Sequence, residues 1–173
     1  MTQPAVQPAD RVGAVPAADP PLRIVLVEPQ IPPNTGNVAR LCAATGCALH
    51  LVEPLGFSID DRELKRAGLD YWRSVDVRTH GSLEDFCTAY PVARWYLSTR
   101  GETPYPGAHF ARGDALVFGK ETAGLPATLL AGEPTRVLRI PMRAAGVRSL
   151  NLSTSVAIVA YAALAALGFP DLA

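Results

Sequence analysis

Three polar segments of this 173-residue chain have the residue types and spacing of a ligand site. The first, P-Q-I-P-P-N-T-G-N-V-A-R at 29–40, places two Asn, a Thr and a Gly where a helix should begin. Their side chains and backbone N–H groups could cap that helix or meet a ligand, and for Asn34 both readings stay open. Asn34, Asn37 and Arg40 recur at helical spacing and should share one face. Arg40 interrupts the apolar positions Val38 and Leu41, and a guanidinium there suits a planar bidentate partner such as phosphate. The second segment is L-V-F-G-K-E-T-A-G-L-P at 116–126. Gly119, at a strand end, either lets a flat ligand approach the backbone or makes a turn. Glu121 either hydrogen-bonds a ligand or caps the turn before a helix begun at Leu125–Pro126. The third is R-I-P-M-R-A-A-G-V-R-S-L-N-L-S-T-S at 139–155, a loop with Arg143 and Arg148 that enters an apolar helix. Helix N-termini attract anions, including a ligand carboxylate. Ser149, Asn151 and Ser153 alternate with Leu150 and Leu152, although a simple cap needs only one such residue.

Each segment follows the end of an expected strand, where open α/β sheets place their ligands. Strands are read at 22–28, 48–53, 75–77, 93–99, 114–118 and 136–140, and helices at 35–45, 60–67, 83–90 and 150–167. This alternation predicts an α/β fold with a mainly parallel sheet flanked by helices. The common nucleotide motifs are missing. No G-x-G-x-x-G follows the first strand. The near-match to a phosphate loop at 113–121 spaces its glycines one residue too far apart. It also has Glu121 where Ser or Thr must hold magnesium.

Composition narrows the classes. Lys+Arg and Asp+Glu are 16 each, so the formal net charge is zero and the pI is near 6.8. A sequence-blind nucleic-acid binder would carry a strongly basic surface. The Pro/Ala-rich residues 1–21 lack apolar periodicity and predict a disordered tail, with one folded domain over 22–173. They also lack the basic and apolar regions of a signal peptide. Three cysteines make no disulfide framework, and Cys42, Cys47 and His50 lack a second ligand pair for zinc, so no metal site is expected. Buried, reduced thiols fit a cytoplasmic protein. The uncharged stretch from Leu152 to Pro170 is rich in Ala and opens with Ser153, Thr154 and Ser155, which predicts a helix buried in a core or oligomer interface rather than a membrane span.

In order and spacing, the three segments resemble the motifs of the SPOUT superfamily of trefoil-knotted RNA methyltransferases. The likeness is nearest to the minimal tRNA 2′-O-methyltransferases that act on the wobble nucleotide, position 34. It rests on P-x-I-P-P-N-T-G-N-x-x-R-L-C-A-x-T-G at 29–46, E-P-L-G-F at 53–57 and R-A-G-L-D-Y-W at 66–72. F-G-K-E-T-x-G-L-P at 118–126 and R-I-P-M…R-S-L-N-L-S at 139–153 complete it. The resemblance spans roughly residues 22–170. It implies a C-terminal trefoil knot, an exception to the usual unknotted connections, and S-adenosyl-L-methionine as cofactor, leaving as S-adenosyl-L-homocysteine. It further implies a homodimer through the knot helices, and tRNA, through its anticodon stem-loop, as partner, with neither membrane nor DNA. By matched position, Leu97, Gly119, Ile140, Met142, Ser149 and Leu150 should line the cofactor pocket. Asn34, Arg40, Glu121 and Asn151 match residues of catalysis or substrate placement, with Arg40 facing the partner subunit's cofactor. Ala123, Thr154-Ser155 and a longer loop at 143–147 depart from the pattern and bear on tRNA contacts.

The reaction so implied is attack of a ribose 2′-oxygen on a sulfonium methyl, promoted by alignment in a desolvated pocket. The guanidinium of Arg40 stays protonated, so its expected role is to clamp the adjacent phosphate, the proton leaving to phosphate or water. The alternatives are methylation of another tRNA or rRNA site, a knotted RNA-binding dimer without methyl transfer, or a small-molecule α/β enzyme. The neutral total also hides a local bias. Residues 120–150 hold Lys120, Arg136, Arg139, Arg143 and Arg148 against Glu121 and Glu133. A second cluster, Arg62, Lys65, Arg66 and Arg73, is offset by Asp60, Asp61, Glu63 and Asp70. Two copies of such patches would suit a folded RNA backbone.

Overall fold

The computed structural model describes residues 19–58, 74–143 and 145–173. The expected 60–67 helix, the R-A-G-L-D-Y-W motif, the second charged cluster and nearly all of the expected tail lie outside the described residues.

Short runs rich in Val, Leu and Ile form a sheet buried on both faces, the pattern of a parallel sheet covered by helices. Its strands are β1 (Arg23–Val27), β2 (Ala48–Val52), β3 (Val77–His80), β4 (Arg94–Leu97), β5 (Thr103–Pro104), β6 (Ala115–Phe118) and β7 (Val137–Arg139). Their order is β3-β2-β1-β6-β4-β7-β5, and every pairing is parallel. The α/β expectation is met, with a sheet parallel throughout the described residues. The helices are α1 (Pro32–Thr45), α2 (Leu83–Ala89), α3 (Ala127–Gly132) and α4 (Leu152–Ala166). On one face Ile24, Leu26, Leu49, Leu116 and Leu138 pack with Val38 and Cys42 of α1 and Val156 and Ala160 of α4. On the other, Val25, Val52 and Val117 pack with Phe86 of α2 and Leu130 of α3. The order in which strands are added to the sheet reverses about the β1–β6 pair, so the loops leaving β1, β4, β6 and β7 meet at one rim.

Two helix starts differ from expectation. α1 begins at Pro32, not 35, because Pro32 and Pro33 fill its first two positions, where a missing N–H costs nothing. Asn34 therefore sits inside the helix and does not cap it. α4 begins at Leu152, not 150, because the Asn151 side chain is its cap, accepting from the Ser153 and Thr154 amides. On α1, Thr35, Val38, Ala39, Cys42 and Thr45 are buried, whereas Asn37 and Arg40 are exposed. A three-residue repeat falls short of a 3.6-residue turn, so Asn34 and Arg40 diverge by about 120°. They do not share a face, and Arg40 does not break the apolar one. β3 covers 77–80 rather than 75–77, and the two-residue β5 was not expected from sequence.

Cys42 and Cys47 are free and buried, and burial raises both thiol pKa values, so neither is poised to react. On the α2 face, His50 Nδ1 and His80 Nε2 lie 2.9 Å apart, packed against Phe86 and Tyr90. Burial, then the charge of Arg78, pushes His80 from 6.5 down to about 4. Burial, with His80, Arg23 and Arg78, holds His50 well below its usual value. Both rings are neutral in the fold.

Candidate functional site

At the rim, three of the residues singled out from sequence form one directional chain of hydrogen bonds. Glu121, just past β6, accepts from the backbone amides of Gln30 and Ile31 at 2.8 and 3.2 Å and from Asn34 Nδ2 at 2.9 Å. A carboxylate can only accept, so the Asn34 amide must turn its NH2 toward Glu121 and its oxygen the other way. That oxygen receives Asn151 Nδ2 at 2.8 Å. Asn151 then has only its own oxygen left for the α4 amides, at 2.9 Å to Ser153 and 3.3 Å to Thr154. Asn34 is only 4% exposed, so leaving either of its groups unpaired would be costly. The result ties the ends of β1 and β6 to the start of α4.

Two further contacts fasten the same loops. Thr122 Oγ1 donates to Gln30 Oε1 at 2.7 Å, and Lys120 Nζ pairs with Glu28 Oε2 at 2.6 Å. Gly119 is required by packing. A Cβ there would collide with the backbone of Gly124 and Leu125, where the chain folds back through a Lys120–Gly124 bridge. Glycine at 119 thus closes the 119–125 turn, one of its two readings from sequence.

Beside this chain of bonds, on the α1/α4 side, lies an open cleft of about 820 Å³. Ile140, Met142, Val147 and Leu150 supply apolar walls, and Tyr105 supplies an aromatic one. Among the described residues, Arg143 is the one charged side chain in the lining, so polar recognition deep in this cleft falls largely to backbone groups. The volume and the apolar lining suit a large ligand with flat apolar faces and a polar edge. Of the six residues expected to hold a cofactor, Ile140, Met142 and Leu150 line this cleft. Leu97 is buried between β6 and β7, Gly119 sits in its turn, and Ser149 is exposed, all at the same rim. Arg40, exposed, lies about 9 Å farther along α1 than Asn34, at 1.5 Å per residue.

The rim is basic. Arg139, Arg143 and Arg148 are exposed around the 140–150 segment, whereas Arg136 stacks over Trp95 at 4.5 Å. Sequence reasoning did not find Gln30, Glu28 or Tyr105. Gln30 acts through its amide N–H, which no residue type announces, and Glu28 and Tyr105 stand outside any periodic pattern.

The profile of the SpoU rRNA Methylase family matches residues 21–161. Two proteins named tRNA (cytidine(34)-2'-O)-methyltransferase, from Yersinia pestis and Escherichia coli strain K12, are 46% and 47% identical to the chain. Each match covers 86% of this chain and 96% of the relative. A solved structure described as "Structural insights into the 2-OH methylation of C/U34 on tRNA" is 48% identical, with a TM-score of 0.81, over 85% of this chain and 96% of that one. An AdoMet-bound rRNA methyltransferase from Sinorhizobium meliloti shares the fold, with a TM-score of 0.77 at 24% identity, over 88% of this chain and 59% of that one.

Proposed function

The chain belongs to the SpoU rRNA Methylase family, and on that premise we propose that it methylates the ribose 2′-hydroxyl of the wobble nucleotide of tRNA, a cytidine or modified uridine at position 34. The observation that carries this reading is the near-full-length likeness to enzymes named for cytidine-34 2′-O-methylation.

S-adenosylmethionine, when bound, supplies an electrophilic methyl group. Ile140, Met142 and Leu150 would hold it in the larger cleft, with Leu97, Gly119 and Ser149 at the edge contributing backbone groups. The knot belongs to this proposal, formed where the chain passes through the β4, β6 and β7 loops. Asn34, Glu121 and Asn151 are positioning residues, since their hydrogen bonds run to one another and to the backbone of the same loops. They fix the start of α1 against the start of α4, and so fix the direction in which α1 presents Arg40. Arg40, exposed on α1, grips the phosphate beside the target ribose through its planar guanidinium and aligns the 2′-oxygen. The hydroxyl proton passes to that phosphate or to water. α4 leaves Tyr161 and Ala165 exposed on the side away from the core, a surface for a second copy. Arg40 then serves the partner's cleft, and the dimer works on the anticodon stem-loop in the cytoplasm. Among the described residues, no helix is long and apolar enough to cross a membrane.

The test is methyl transfer to a synthetic anticodon stem-loop, compared with the same RNA carrying 2′-deoxyribose at position 34. Transfer to the first and none to the second is expected, with a loss of at least about a hundredfold for Arg40→Ala, the scale of a misaligned reactant. Equal transfer to both RNAs, or wild-type turnover by Arg40→Ala, overturns the proposal.

A further inference from the structure

A second, smaller cleft opens at the same rim on the α3 side of the sheet. Its volume is about 340 Å³, and Val27, Glu28, Arg100, Lys120, Ala123 and Leu125 form most of its wall. Val27 and Leu125, at 8% and 4% exposure, give its floor a small apolar patch within a wall that is otherwise largely polar. Ala123 is exposed and ends at a methyl group, so the mouth stays open. The charges are unequal. Lys120 is matched by Glu28, while Arg100 has no carboxylate partner among the described residues. Glu28 itself has φ 50°, in the left-handed region that residues other than glycine rarely adopt. Such strain tends to persist where a side chain must be held in one place for function.

The two clefts are connected. Lys120 and Ala123 of the smaller one flank Glu121 and Thr122, which bond to Gln30 and Asn34, and Asn34 reaches Asn151 beside Leu150 of the larger. A strand of RNA crossing this bridge would present one nucleotide to each side.

We propose that the smaller cleft receives the base of an unpaired nucleotide adjoining the methylated one, with Arg100 on a phosphate between them. This rests on the proposed function and adds a second nucleotide subsite to it. A hollow of this volume admits one base, with a narrow apolar contact at Val27 and Leu125 and polar groups at its edge, and single-stranded RNA is read through bases splayed into such hollows. A free inorganic anion would gain nothing from Val27 and Leu125. The Glu28 carboxylate, bonded to Lys120 through Oε2, keeps Oε1 to accept from a base N–H edge.

The experiment measures anticodon stem-loop affinity by fluorescence anisotropy for the full chain, Ala123→Trp and Arg100→Ala. Each is tested with intact RNA and with RNA lacking one base beside position 34. Calorimetry with S-adenosylhomocysteine checks that each variant keeps its fold and larger cleft, and unchanged affinity is expected there. Ala123→Trp should weaken stem-loop binding about tenfold, the scale of one lost base contact. Removing the base on one side of position 34 should cost the wild type about as much and cost Ala123→Trp nothing further. Arg100→Ala should lower the slope of log affinity against log salt by about 0.7, one phosphate contact to a single strand. Wild-type affinity in Ala123→Trp, base-removal losses that simply add on both sides, or an unchanged salt slope in Arg100→Ala overturns the subsite. Failure of the wild type itself to bind any stem-loop overturns the proposed function, and the subsite with it.

Discussion

The two halves of the rim are built differently. Between β1 and β6, the loops are fastened by Glu121, Asn34, Lys120 and Thr122, each with a partner distant in sequence. Between β7 and α4, the 140–150 segment is anchored at its ends, by β7 and the Asn151 cap, and its middle is open, with Val147 67% exposed. The contrast separates two tasks. A reacting hydroxyl must be aligned, which requires a stiff frame whose polar groups are already satisfied. A bulky ligand must be admitted, which requires an exposed apolar surface such as Val147 presents.

The largest effect should come from the fastened half. Glu121→Ala leaves two backbone amides and the Asn34 NH2 without their acceptor, and should cost about 1–3 kcal/mol in urea unfolding, with a matching fall in methyl transfer. Glu121→Gln, which keeps one acceptor oxygen, should lose less. Stability equal to wild type in Glu121→Ala would erase the distinction between the halves.

Acid gives an intermediate effect, located away from the rim. His50 and His80 are held neutral in the fold, so the unfolded chain binds more protons as pH falls, and stability drops with it. The loss should set in below about 6.5, the ordinary histidine value, and continue to about 4, the value of His80 in the fold. Arg23, Arg78 and Tyr90 face the pair, with Asp76 and Asp85 nearby, and the cations reinforce the shift. Chemical denaturation across this range checks it, and His50→Leu combined with His80→Phe should flatten the profile. A profile left as steep in the double variant would place the acid sensitivity elsewhere, the rim included.

The smallest stability effect belongs to the open half. Val147→Ser should change unfolding free energy by no more than about 0.5 kcal/mol, as for an exposed position without partners. The same change should weaken S-adenosylhomocysteine binding several-fold by calorimetry. The reverse pattern, a destabilised fold with intact ligand binding, would make 140–150 a structural loop.

Local pattern made much of this legible. The strands near 24, 50, 96, 116 and 138 are short apolar runs ended by Pro, Gly or polar residues, and period alone locates them. The segments around Asn34, Glu121 and Asn151 stood out because polar residues at strand ends have few structural reasons to recur. Their mutual bonding was not legible, because residues 34, 121 and 151 meet only through the order β1-β6-β4-β7. The expected Asn34–Asn37–Arg40 face failed on helix period, and the start of α1 on the two prolines. β5 escaped because two residues ending in Pro carry no strand signal. Gly119 was read as a turn or a ligand approach, and only the backbone of Gly124 and Leu125 pressing on it identifies the turn.

The central claim is tested most directly by mapping ribose methylation in tRNA from cells with and without this chain, by mass spectrometry of nuclease fragments. A 2′-O-methyl group on nucleotide 34 is expected with the wild-type chain and should be missing with the deletion and with Arg40→Ala. A chain-dependent methyl group at another nucleotide, or an unchanged tRNA profile on deletion, would contradict it.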